Sequence, residues 1–261
     1  MAIPADALAV DRAIRRRGAA TAVPIPQGLV VRHPELADVH HLNAVVLDAP
    51  ALLGAEALTV LADQWLGDCG HRHVVFDDAV AGERLAAELA DAGWERGRTG
   101  FMVFTADPAA VTTDARAREI SEPEMQALQL AALQMQTSAR DARSGLPLRL
   151  TAAQRALRAG TPARCFAAGE DGELQSMCTL FLDADVSGRR VAMIAEVGTL
   201  IAHRGRGLAR AVVSASVAAA HAWNADLIVV PVDADDWPQL MYAQLGFADS
   251  DPPTRQVSLT R

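Results

Sequence analysis

The chain is poor in aromatics, at 4% of 261 residues, and has a single tyrosine, Tyr242. Its three cysteines, Cys69, Cys165 and Cys178, are too few and too scattered for a disulfide framework, and no CxxC or Cys/His cluster has zinc spacing. A reducing cytoplasm is the expected compartment. No run approaches ~20 apolar residues, which excludes a spanning helix. The N-terminus has Asp6 and Asp11 before Arg15-Arg16-Arg17 with no apolar stretch after them, so it does not read as a secretory signal. Positive charge is also in deficit. Twenty-four basic against 32 acidic residues leave −8, with a pI near 5.3, which argues against non-specific nucleic-acid binding. What the chain has is hydrophobic mass, 51%, much of it Ala, Val and Leu. That is enough for a sizeable core and excludes general disorder. The length fits one large domain or two modest ones.

Residues 1–28 read as a loosely structured extension with a short helix, ended by Pro24, Pro26 and Gly28. Leu29–Val31 is a strand, residues 37–46 and 56–66 are helical, His71–Phe76 is a strand, and residues 80–92 are a helix with Gly93 at a left-handed cap. Gly100–Phe104 is a further strand. The polar, turn-like residues 106–118 mark a domain boundary. Ser121 with Glu124 forms a capping box for a helix running to about Arg143, and Thr151 with Gln154 a second box for a helix ended by Gly160. Then the period changes. Arg164–Ala168, Leu174–Leu182 and Arg190–Leu200 are strands separated by the hairpin signals Asp171-Gly172 and Ser187-Gly188. A helix over 207–223, a strand Leu227–Val232, a helix 236–245 stopped at Gly246, and a strand Arg255–Leu259 follow. The expected fold class is α/β, with an antiparallel meander followed by a βαβα-type part and helices on both faces of a mixed sheet.

One segment carries chemistry. Glu196-Val197-Gly198-Thr199 ends an apolar strand, and Arg204-Gly205-Arg206-Gly207-Leu208-Ala209 makes a glycine-rich basic turn into a small-residue helix. Such a turn presents backbone N–H groups at a helix N-terminus, a natural phosphate site. Gly205 and Gly207 allow close approach, and Arg204 and Arg206 add charged donors. No Walker string exists, and Arg210 stands where a dinucleotide fingerprint needs a small residue.

Arg204-x-x-Gly207-x-Ala209 fits Arg/Gln-x-x-Gly-x-Gly/Ala, and so resembles the pyrophosphate loop of the GNAT superfamily of N-acetyltransferases. Asp236 through Phe247 resembles that superfamily's closing motif, in which an Asn opens a helix, a Tyr follows six residues on and Gly-Phe ends it. Asp236 replaces the Asn. It keeps the N-cap function and leaves its cofactor contact in doubt. The resemblance covers residues 118–261 and implies acetyl-CoA as acyl donor, gripped by Val197, Gly198, Thr199, the 204–209 turn and Asp236. It also implies Glu196 as a base acting directly or through water, and Tyr242 as general acid toward the sulfur. An amine on a small molecule or a peptide would be the acceptor, with no nucleic acid and no membrane as partners, and a homodimer is left open.

The first half offers a fainter copy. Aligning Gly93 with Gly246 maps Tyr242 onto Leu89 and Asp236 onto Glu83, and no Arg-x-x-Gly-x-Gly/Ala string lies between Arg32 and His71. The expected organisation is an extension over 1–28, an incomplete GNAT-like unit over 29–110 and a complete one over 118–261. An unrelated small α/β unit fits the first half equally well. A non-catalytic acyl-CoA-binding regulator or partner subunit is the alternative function. His71-x-His73 with Asp77 and Asp78 matches no further metal spacing, so these and His40-His41 are expected at the surface, with no metal site. Cys165 and Cys178 are expected as buried fillers, and His203 as a surface or phosphate-adjacent ring.

Overall fold

The computed structural model describes residues 3–48, 53–138, 143–234 and 238–261, and within them eleven strands join one mixed sheet. The strands are β1 Thr21–Ile25, β2 Gly28–Arg32, β3 Ala44–Leu47, β4 His73–Phe76, β5 Glu95–Phe104, β6 Ala117–Ile120, β7 Ala163–Glu170, β8 Glu173–Val186, β9 Arg189–Thr199, β10 Leu227–Asp233 and β11 Phe247–Thr260. The helices are α1 Ile3–Gly18, α2 Ala55–Leu66, α3 Ala79–Leu89, α4 Glu122–Gln136, α5 Leu146–Gly160, α6 Leu208–Ala222 and α7 Pro238–Gln244.

The meander β7–β8–β9 turns at Asp171-Gly172 and Ser187-Gly188, where all four residues have positive φ, as tight two-residue hairpins require. The Ser121/Glu124 capping box is formed, and Gly93 caps at φ 77°. One face of the sheet packs on α2, α3, α6 and α7 around Leu58, Leu85, Val212 and Val230. The other packs on α1 and α4 around Val10, Phe101, Met125 and Phe181. Each such side chain contributes ~1.5–3 kcal/mol by leaving water.

The strand order is β1-β2-β3-β4-β11-β5-β10-β9-β8-β7-β6. β11, the last strand of the second half, lies between β4 and β5 of the first, pairing Val257 with Phe76 on one side and Thr254 with Phe101 on the other. β5 in turn lies against β10, with Pro231 opposite Phe101. The stretches 29–110 and 118–261 therefore interlock in one sheet. Over all but its edges the arrangement is a tandem, mixed α/β one, in which β3–α2–β4–α3–β5 repeats β9–α6–β10–α7–β11.

Several expectations are corrected. Residues 3–18 form a full helix, held by Arg189–Asp6 and Arg17–Asp183 ion pairs, and β1 carries Pro24 at the sheet edge, where a missing N–H is harmless. Residues 44–47 are a buried strand, parallel to β4 and antiparallel to β2, and 34–36 and 40–42 are 3-10 turns. A continuous apolar run of that length has no period that separates strand from helix. Thr151 lies inside α5, bonding to the Pro147 carbonyl, and α5 starts at Leu146. α4 ends at Gln136, and β6 appears in the stretch taken as boundary and helix start.

Candidate active site

β9 and β10 run parallel and pair only from Leu227/Val191 to Val229/Met193. Beyond that the two strands separate, and residues 194–199 keep a partner only on the β8 side. At the opening the β8–β9 register slips. Met177 faces Gly198 and Thr179 faces Ala195, so Glu196 and Val197 oppose Cys178 alone. Glu196 sits in this bulge at φ 55°. A left-handed backbone at a non-glycine residue costs on the order of 1 kcal/mol and clusters at functional sites.

The bulge turns the Glu196 side chain toward α4 and α5, where it is nearly buried. Its Oε2 accepts from Arg158 Nη1 at 2.6 Å, from Gln129 Nε2 at 3.0 Å and from Thr179 Oγ1. Oε1 is buried with no partner among the described residues. Arg158 also clasps Glu122, through Nε at 2.9 Å and Nη2 at 2.8 Å, and donates to Gln129 Oε1 at 2.9 Å. Burial pushes the Glu196 carboxyl above its ordinary range, and Arg158, Thr179 and Gln129 pull it part of the way back.

Tyr242 lies on the opposite face, in the cluster with Val212, Val230 and Phe247, its ring edge-on to Phe247 at 5.8 Å. Burial, with Cys178 nearby, drives the phenol pKa well up, so the hydroxyl keeps its proton. Cys178 is fully buried against Ser216 and Val212, its thiol pushed up to about 12 by burial, which makes it an inert filler, and Cys165 is likewise buried.

The 204–209 turn projects from the same end of the split. Gly205 and Gly207 have φ of 77° and 79°, so both need glycine's freedom. Gly207 starts α6 with no side-chain cap, leaving the first-turn N–H groups, Leu208 and Ala209 among them, turned outward. A Cβ at Gly205 would meet nothing within 4 Å, so the approach to the backbone is clear. Leu208 anchors the helix in the core. Arg206 pairs with Glu170 at 3.2 Å, and Arg204 reaches the Thr199 carbonyl at 3.4 Å. Arg116, not singled out in the sequence, lies over the turn. It bonds to the Arg206 carbonyl at 3.2 Å and to Glu170 and Asp114. A groove of about 520 Å³ runs from Gly207 between α6 and the end of α7, lined also by Phe104, Val111, Arg116 and Gln244.

Thus Glu196, Val197, Gly198 and Thr199 line the opening with the turn at its mouth, while Tyr242 is buried in the core cluster on the other face of the sheet. Asp236 lies outside the described residues. Gln129, Arg158 and Glu122 were missed, because each is one polar residue among many on its helix and only the fold brings them to the bulge, and Arg116 was missed because only the fold brings it over the turn. Of the four histidines expected at the surface, His40 is exposed as expected, His41 and His73 are half-buried with it around a cavity beside Arg15 of α1, and His71 is buried against His40. The alternation that aligns His71 with His73 points them at a covered face. Among the described residues no group of three or more His, Cys, Asp or Glu is placed to hold a metal, and no helix is long and apolar enough to cross a membrane.

Residues 130–247 match the model of the Acetyltransferase (GNAT) family. Among solved structures, a GCN5-related N-acetyltransferase from Kribbella flavida aligns over all of this chain and 96% of its own, at 20% identity and TM-score 0.62. A functionally unknown conserved protein from Staphylococcus epidermidis aligns over 92% of both chains, at 11% identity and TM-score 0.65. A tandem GNAT protein from the clavulanic acid biosynthesis pathway, solved without AcCoA, covers 92% of this chain and 81% of its own, at 16% identity and TM-score 0.51. At these identities the likeness is one of fold. No curated protein matches the chain in sequence.

Proposed function

We propose, from the premise that the chain belongs to the GNAT superfamily through its C-terminal half, that it transfers an acetyl group from acetyl-CoA to an amine. The observation that carries this reading is the parting of β9 from β10 beyond Met193/Val229, with the strained Glu196 on one side and the open Gly205–Gly207 turn at the mouth. The residues fit the donor. An uncapped helix start, clear space at Gly205 and the Arg116 guanidinium beside Gly207 suit a diphosphate, and the unpaired edge of Val197–Thr199 suits amides lying alongside as an added strand. Arg204 supplies charge there more freely than Arg206, which Glu170 already occupies. The groove beside Gly207 has room for the nucleotide end.

Acetyl-CoA supplies the acyl group as a thioester. A free amine is mostly protonated at neutral pH, with a pKa of ~10.4 for a lysine-type group. Glu196 takes that proton on Oε1 through a water, because Oε2 is already held by three donors. The nitrogen bonds to the carbonyl carbon, the carbon–sulfur bond breaks, and the nitrogen gives up its second proton to water as the amide forms, which balances the proton that Tyr242 gives to sulfur and regains from solvent. Tyr242 donates its proton to the departing sulfur, for which a raised phenol pKa keeps it loaded. The three free, buried cysteines accord with a reducing compartment.

The test is thiol release from acetyl-CoA with a panel of small amines and peptides. The chain contains no lysine, so its own side chains offer no lysine acceptor to raise the background. Release that depends on an added amine supports transfer. Tight acetyl-CoA binding with no release across the panel favours the regulator reading.

A further inference from the structure

We propose that a cavity beneath α1, on the β4–β11–β5 part of the sheet, is a binding site for a small oxyanion, one carboxylate or phosphate group. The cavity holds about 240 Å³ and is lined by Arg15, His40, His41, His73, Thr99 and Gln256, with Val75 and Ser258 completing the wall. It is built by α1, the 40–42 turn and strands β4, β5 and β11. No carboxylate is among the lining residues, whereas a guanidinium, three imidazoles, two hydroxyls and an amide are.

Two nitrogens in this wall are buried with no partner among the described residues, Arg15 Nη1 and His41 Nε2. Leaving such a group unpaired is unfavourable, the more so for a charged one. The other end of Arg15 is fixed, since Nε donates to Asp11 at 2.8 Å, so the free Nη1 is presented by a held side chain. The imidazoles are fixed as well. His40 stacks on His71 at 4.1 Å and faces His73 at 5.7 Å, His73 Nδ1 meets Thr260 Oγ1 at 2.8 Å, and His71 Nε2 meets the Asn43 carbonyl at 3.1 Å. Gln256 is turned by its donations to Asp77 and Asp11, which face it from outside the wall. A cation is disfavoured beside Arg15. An oxyanion would accept from Arg15 Nη1, from His41 and from the Thr99 and Ser258 hydroxyls.

Binding would also change the proton balance. The groups facing the rings are Arg15 and Asp11 on α1, Asp38 beside the turn, Arg72 and Arg32 on the His71 side, and the four histidines themselves, and burial holds all four rings below their ordinary pKa. A negative charge among them favours the protonated rings, so affinity rises as pH falls toward 5.

The test uses the full chain with inorganic phosphate and, in a separate arm, acetate, each against sodium chloride of equal ionic strength. Thermal unfolding and the ring-proton NMR signals of the histidines are read together. The expected result is a saturable rise in Tm of ~5 °C at a hundred times the Kd, with movement of the His40, His41 and His73 signals. The effect is lost in Arg15→Gln, weakened in Ser258→Ala and kept in Gly207→Glu, which separates this cavity from the phosphate turn. A response to acetate alone assigns a carboxylate, and one to phosphate alone a phosphate. Absence of any saturable change in wild type beyond chloride overturns the proposal. So does a response that Arg15→Gln and Ser258→Ala both retain, or one that Gly207→Glu abolishes.

Discussion

Arg158 Nη1 lies 2.6 Å from Glu196 Oε2 while the same guanidinium closes on both oxygens of Glu122. One buried cation thus ties β9 to α4 from its place on α5. Arg158→Met leaves two carboxylates without their cation, and removing one partner of a buried pair costs ~3–5 kcal/mol. Denaturant unfolding is expected to show a loss of that size. Glu196→Gln keeps an acceptor for Gln129 and Thr179 and is expected to lose less.

The same network predicts how activity responds. If Glu196 takes the amine's proton, Glu196→Gln lowers kcat by ~10²–10⁴, the usual worth of a positioned base. Tyr242→Phe removes only a hydroxyl from a well-packed ring and is expected to lower kcat while shifting Tm little. Steady-state kinetics across pH, run beside thermal melts, check both. A Tyr242→Phe chain as fast as wild type at every pH removes the acid role.

The exchanged strands predict one cooperative unit. β11 completes the sheet between β4 and β5, and β5 completes it beside β10. Neither half therefore has its full set of strands alone. Calorimetry of the whole chain is expected to give a single transition with equal calorimetric and van't Hoff enthalpies. A chain of residues 118–261 is expected to be unfolded or aggregated, because β10 would be left with an exposed apolar edge.

Stability should fall on acidification below neutrality. Burial pushes His41 down to about 4 and holds His73 well below its ordinary value, so their contribution is full above 6.5 and is lost as pH falls toward 4. For His41 alone this is on the order of 3 kcal/mol. Asp77 runs the other way. Burial pushes it up to about 6, so its contribution is full below 3.8 and lost as pH rises through 6. Denaturation midpoints between pH 4 and 8 check this. Asp77→Asn should gain relative to wild type at pH 8, and that gain should vanish near pH 4.

Much of this architecture was legible in residue order. The meander is written in Asp171-Gly172 and Ser187-Gly188, which alone suit positive φ at both turn positions, and the phosphate turn in Gly205 and Gly207. What was not legible is non-local. Nothing in Arg255–Leu259 says that the strand lies between β4 and β5, since alternation fixes a face and not a neighbour. The same limit hid Arg158 behind the other arginines of α5, and led His41, His71 and His73 to be read as surface residues beside His40, which is one.

The account rests on backbone amides at the start of α6 holding a diphosphate. Calorimetric titration of acetyl-CoA into wild type, Gly207→Asn and Gly207→Glu tests it most directly. Asn tolerates the left-handed backbone at position 207, and a Cβ there stays 3.7 Å from Arg116 Nη2, so both variants are expected to fold. The account predicts binding by wild type, a modest loss in Gly207→Asn and at least ~100-fold weaker binding in Gly207→Glu, where a carboxylate repels the phosphates. Equal affinity in a folded Gly207→Glu chain would contradict it.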